Sequence, residues 1–153
     1  MSIVTTLCYL RKDDCYLMLF RNRKEADINE GKWIGVGGKV KEDESPDEGL
    51  LREVYEETGL TLTDYACRGL ITFITDQGEN ELMILYEGLA WEGTLTEDCD
   101  EGTLAWVPLA EIETLSLWEG DRLFMPALIA GEQDIRMKLV YEGDRLVFHE
   151  RYS

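Results

Sequence analysis

The chain has 153 residues, 44% hydrophobic and 31% charged, a balance that fits one soluble domain, residues 1–153, with a proper core. Thirty-two Asp and Glu against fifteen Lys and Arg give a net charge of −17, which opposes binding to a nucleic-acid polymer and leaves a small polyphosphate dependent on divalent cations for screening. No apolar run approaches the roughly 20 residues of a membrane helix, and Cys8, Cys15, Cys67 and Cys99, with His149 as the single histidine, form no CxxC pair or zinc-ligand cluster.

Residues 3–10 and 15–20 read as two strands around a turn at 11–14. The first is short, contains two threonines and runs into a charged turn, so it is not a signal peptide, and a cytoplasmic location is expected. Residues 21–31 are polar and predict a loop, and 32–36 a short strand ending at Gly37-Gly38. A helix is predicted over 46–58. Ser45 is its N-cap, Glu48 completes a capping box, Pro46 sits at the first helical position and Gly59 supplies the stop. Strands follow at 61–75, bent near Gly69, and at 81–91, separated by a turn at 76–80. Residues 103–107 form another strand, 108–114 a helical turn, and 118–130 a helix by the spacing of Trp118, Leu123, Met125 and Leu128. A hairpin at 136–141 and 145–149 closes the chain. Without regular βαβ alternation, the fold class is α+β, an α/β/α sandwich with a mixed sheet flanked by helices.

The 46–58 helix carries the strongest chemical signal. Leu51, Val54, Tyr55 and Thr58 fall on one side, while Glu53, Glu56 and Glu57 occupy another over roughly 100° of arc. Carboxylates at this spacing repel one another, and no lysine interleaves with them. By the helical wheel Arg52 lies about a quarter-turn away and is expected to pair with Glu44 rather than neutralise this face. A divalent cation would remove the repulsion, and magnesium prefers hard oxygen ligands of this kind. Gly37-Gly38 allows close backbone approach and can present a carbonyl to the same cation.

Gly38, Glu44, Arg52, Glu53, Val54, Glu56, Glu57, Gly59 and Leu60 match every fixed position of G-x5-E-x7-R-E-U-x-E-E-x-G-U, where U is aliphatic. The chain therefore resembles the Nudix hydrolase family, MutT-like members included. That resemblance implies a loop–helix–loop that binds Mg2+ (Mn2+ as the alternative) and cleaves a diphosphate bond by water attack at phosphorus. Carried over by position, Glu53, Glu56 and Glu57 are metal ligands together with the Gly37 or Gly38 carbonyl, and Arg52 with Glu44 supports the loop. The general base is Glu53, Glu57 or Glu101. Glu101 enters because many relatives carry an acidic residue shortly before a Trp-Val-Pro-like strand, here Trp106-Val107-Pro108, with Glu97 and Asp98 as alternatives.

Residues 15–130 further resemble the branch acting on oxidised purine nucleoside triphosphates, the 8-oxo-dGTP diphosphatases. This resemblance implies that Trp118 stacks on the base and Asp121 hydrogen-bonds its edge, with Lys24, or Arg21 or Arg23 in its place, near the phosphates and Lys39 also binding substrate. The chain departs from that branch at Ile34, where an asparagine is common, and at Gly120, where an aspartate precedes Asp121. The expected partner is a small nucleotide, the expected assembly a monomer or homodimer. ADP-ribose or a nucleotide sugar is the alternative substrate, and a non-catalytic nucleotide-binding module the alternative role.

Overall fold

The computed structural model describes residues 2–22, 29–96 and 98–153. Strands β1 (Ser2–Lys12) and β2 (Cys15–Phe20) form the expected hairpin but pair only at Arg11↔Tyr16 and Lys12↔Cys15 before they splay. Beyond the splay β1 pairs in parallel with β5 (Asn80–Gly93), and β2 pairs antiparallel with β7 (Gly102–Pro108). The predicted 32–36 strand shrinks to β3 (Trp33–Ile34) on β2. The chain then crosses to the free edge of β1 through the bridges Cys8↔Val36 and Thr5↔Lys39. A gap between two diverging strands is thus lined by the glycine-rich segment.

The full sheet runs β6-β7-β2-β1-β5-β4-β8-β9, where β4 is Leu60–Thr75, β6 Asp98–Cys99, β8 Ile135–Glu142 and β9 Arg145–Arg151. It is mixed: β1–β5 and β4–β8 are parallel, the other named pairs antiparallel. The bend expected near Gly69 is present as a register shift between Cys67 and Gly69, and a Cβ at Gly69 would collide with the Ile135 carbonyl of β8.

Strand alternation sends side chains into two cores. Tyr9, Met18, Ile71, Phe73 and Leu85 pack against α2 (Asp121–Ile129) through Phe124 and Leu128. Cys8, Leu10, Leu17, Leu19 and Tyr86 pack against α1 (Pro46–Thr58) through Leu50 and Val54. The result is the expected mixed sheet with helices on both faces. Among the described residues no helix is long and apolar enough to cross a membrane.

Two elements differ from the sequence reading. Asp98–Cys99 pairs with β7, a strand absent from the sequence reading because two residues show no periodicity. The last helix begins at Asp121, not Trp118, and a 3-10 turn (Leu109–Thr114) precedes it. Trp118 is drawn out of helical register into the core, edge-on to Phe73 and Tyr141.

Candidate active site

The acidic centre is built on α1. The Ser45 hydroxyl accepts the Glu48 N–H (3.1 Å), Glu48 accepts the Ser45 N–H (2.9 Å), and Gly59 closes the helix at φ 78° with its N–H on the Tyr55 carbonyl. Both ends are therefore fixed, and so is the direction in which the glutamates project. Glu53, Glu56, Glu57 and Glu101 line one hollow with Cys99 and Asp100. The 98–101 segment joins it because β6 and β7 turn there, over the helix. This placement brings Glu101 beside the glutamates of α1.

Arg52 corrects the helical-wheel expectation. Its Nε and Nη2 donate to Glu44 at 2.7 and 2.9 Å, as expected, but Nη1 also reaches Glu53 (2.7 Å) and Glu56 (3.0 Å). A long side chain swings across the arc that separates the Cα atoms. Nη2 further donates to the Lys39 carbonyl (3.1 Å), tying the helix to the glycine-rich segment. The guanidinium holds the Glu44 carboxyl down to about 2, helped by the Lys41 N–H.

Glu57 is the most confined acid of this centre, 6% exposed. One oxygen accepts the Gly37 N–H at 2.7 Å, and the other is buried without a partner. Burial pushes its carboxyl well above the ordinary range, the neighbouring Glu101 carboxyl pushes further, and the Gly37 N–H opposes them. Burial also raises Glu53, against the pull of Arg52. Among the described residues no three such side chains converge as a ready-made metal cage. The donor set nevertheless fits a hard divalent cation. An orphaned buried oxygen beside a second carboxylate is stable only with a shared proton or a cation between the two.

Gly37 and Gly38 form the wall behind these acids. A Cβ on Gly38 would meet the Glu53 carboxylate at 2.8 Å, and one on Gly37 would collide with the Thr6 carbonyl. The Gly38 carbonyl already accepts the Thr6 N–H (2.8 Å).

The other side of that wall is an open cleft between the sheet and α2. Trp118 and Asp121, named from sequence as base contacts, both line it. Trp118 is 95% buried (5% exposed), so it serves as core residue and cleft wall at once; its Nε1 donates to Asn29 (2.7 Å) and the Lys32 ammonium lies 5.0 Å over its ring. Burial raises the Asp121 carboxyl to about 7, opposed by Lys32 and Arg122. Gly120 is forced by packing: a Cβ there would meet Leu139 and the Tyr141 hydroxyl, each at 2.6 Å, and that hydroxyl accepts the Gly120 N–H. An aspartate at this position has no room.

Arg21, named from sequence as a phosphate contact, lines the cleft and reaches Glu101 at 3.5 Å, at the junction of the two regions. Lys39 is exposed beside Arg52 and Glu53. Lys24, Arg23 and Glu97 lie outside the described residues, and of Asp98 only the backbone is described. Sequence reasoning missed Asn29, Thr5, Thr6 and Glu81. For Thr5 and Glu81 the signal was alternation: polar side chains on the face whose neighbours are apolar core.

Comparison with known proteins agrees with this geometry. A family model described as the NUDIX domain matches residues 1–128. An oxidized purine nucleoside triphosphate hydrolase of Mus musculus is 35% identical over 108 residues, covering 69% of this chain and 68% of the relative. An uncharacterized Nudix hydrolase of Bacillus subtilis is 28% identical over 131 residues, covering 83% and 79%. The crystal structure of a MutT protein from Bacillus halodurans superposes with a TM-score of 0.87 at 25% identity, over 97% of both chains.

Proposed function

Because this chain belongs to the NUDIX domain family, we propose that it hydrolyses a purine nucleoside triphosphate, an oxidised purine such as 8-oxo-dGTP above others, to the monophosphate and pyrophosphate. The observation that carries this reading is the shared wall. Gly37 and Gly38 touch Glu57 and Glu53 on one side and line the cleft of Trp118 and Asp121 on the other. A base held in the cleft would present its phosphates to the acids.

Glu53, Glu56, Glu57 and Glu101, with a Gly37 or Gly38 carbonyl, would hold Mg2+ or Mn2+. Such a cation lowers the pKa of water and neutralises charge on phosphate oxygens. The remaining work falls to the chain itself. Trp118 offers an aromatic surface to the base, and Asp121 accepts from its edge. Arg21 and Lys39 draw the phosphates toward the centre, a role proposed also for Arg23 and Lys24. Arg52 fixes Glu53 and Glu56 in direction and ties both to the Lys39 backbone. Glu53, Glu57 or Glu101 takes the proton of the attacking water; burial raises the carboxyls of Glu53 and Glu57.

A product-resolved assay with Mg2+ tests this reading, with 8-oxo-dGTP, dGTP and ADP-ribose as substrates. Monophosphate and pyrophosphate are expected from 8-oxo-dGTP. Inorganic phosphate as sole product, preference for ADP-ribose, or nucleotide binding without turnover would reject it.

A further inference from the structure

The cleft contains a second acid that the proposed reaction does not use. Glu81 of β5 stands in register between Ile3 of β1 and Phe73 of β4, and Phe73 in turn pairs with Leu139 of β8. Phe73, Leu139 and Glu81 all line the cleft, whereas Leu82, the next residue along β5, is exposed on the opposite face. Strand alternation therefore aims Glu81 into the cleft. Thr5 lies one row further along β1, paired with Met83, and also lines the cleft. It is 7% exposed, and its hydroxyl has no hydrogen-bond partner.

The two groups are neighbours. Burial pushes the Glu81 carboxyl up, and Thr5 is near enough to oppose that shift while falling short of hydrogen-bond geometry. A buried hydroxyl left unpaired costs free energy comparable to a lost hydrogen bond. Beside a half-buried acid on the wall of a ligand cleft, that cost is recovered when a ligand supplies the missing partner. Asp121 enters the same cleft from α2, so polar groups approach a ligand from both the helix and the sheet.

We propose that Thr5 and Glu81 form a second base-reading wall, which selects nucleobases whose edge presents an N–H donor beside a C=O acceptor. The Glu81 carboxylate accepts the N–H, and the Thr5 hydroxyl donates to the carbonyl. Guanine carries such an edge at N1–H and O6, oxidation at C8 creates another at N7–H and O8, and adenine has neither. The wall also accounts for the tolerance of Ile34, an apolar cleft residue: polar readout is supplied from β1 and β5 instead. This inference rests on the nucleoside triphosphate reading above and names how its base is chosen.

The test is kcat/KM for dGTP, 8-oxo-dGTP and dATP with wild type, T5V and E81L, each variant checked by thermal melting. Wild type is expected to prefer the two guanine nucleotides. Each variant is expected to lose about tenfold or more on these through KM, while dATP stays within about twofold, so that the preference collapses. A uniform fall in kcat for all three substrates, or a preference that survives both variants, overturns the inference. Should E81L fail to fold, the near-isosteric T5V decides alone. Wild type that yields no pyrophosphate from any of the three rejects the triphosphate reading itself. Wild type that yields it without base preference rejects only the second wall.

Discussion

The acidic centre and the cleft share the Gly37–Gly38 wall, yet they are assembled in opposite ways. Glu53, Glu56 and Glu57 come from one turn of α1, and the residue that orders two of them, Arg52, precedes them on the same helix. The cleft draws Thr5 from β1, Glu81 from β5, Phe73 from β4, Leu139 from β8, Asp121 from α2 and Asn29 from the segment before β3. Chemistry placed on a single capped helix survives rearrangement elsewhere. Readout assembled from strands far apart in sequence changes with one substitution on any of them. On the proposed reading, reaction and specificity are therefore separable in this molecule.

That separation can be broken or sharpened by mutation. Glu57→Gln is expected to lower kcat by about a hundredfold to a thousandfold with KM little changed, since a buried carboxylate is removed from the reacting centre. It should also abolish the rise in melting temperature on adding Mg2+, which Asp121→Asn should leave intact; a retained Mg2+ effect in Glu57→Gln would break the comparison. Arg52→Gln is expected to cost about tenfold to a hundredfold in activity by releasing Glu53 and Glu56, as losses of ligand-orienting residues do. Steady-state kinetics against Mg2+ concentration checks this, and unchanged activity would show that the guanidinium does not order the centre.

Gly120→Asp, which restores the aspartate pair of the resembling branch, is expected to destabilise the fold by about 1–3 kcal/mol, because the side chain meets Leu139 and Tyr141. An unaltered urea midpoint would contradict that packing. The smallest effect is the pH dependence of Asp121. Its folded pKa of about 7 lies above the unfolded value of about 3.9, so its contribution to stability is fully present below pH about 4 and is lost as pH rises toward and through about 7. Asp121→Asn should flatten the stability–pH curve across that window while raising KM; an unchanged slope would show that the carboxyl is not held as described.

The same contrast explains what was legible in the sequence. The helix Pro46–Thr58 could be read to its ends because Ser45, Pro46, Glu48 and Gly59 act on backbone groups within a few residues. The closing hairpin and the bend at Gly69 were visible for similar reasons of local turn chemistry. Arg52 was misjudged because a helical wheel projects Cα positions and ignores the reach of a long side chain. The start of α2 was misjudged because Trp118 satisfied helical spacing while its ring served the core against Phe73 and Tyr141. Thr5 and Glu81 stayed hidden because their proximity depends on the parallel register of β1 with β5, a contact across more than half the chain. Such pairing leaves no mark in either segment alone.

On the proposed reading the carboxylates of α1 and Glu101 grip a divalent cation at the mouth of the base cleft. Anomalous diffraction from crystals soaked in Mn2+ with a non-hydrolysable purine triphosphate tests it most directly. An anomalous peak is expected among Glu53, Glu57 and Glu101, with the base between Trp118 and the sheet wall. A manganese peak elsewhere, with the phosphates bound away from α1, would contradict it.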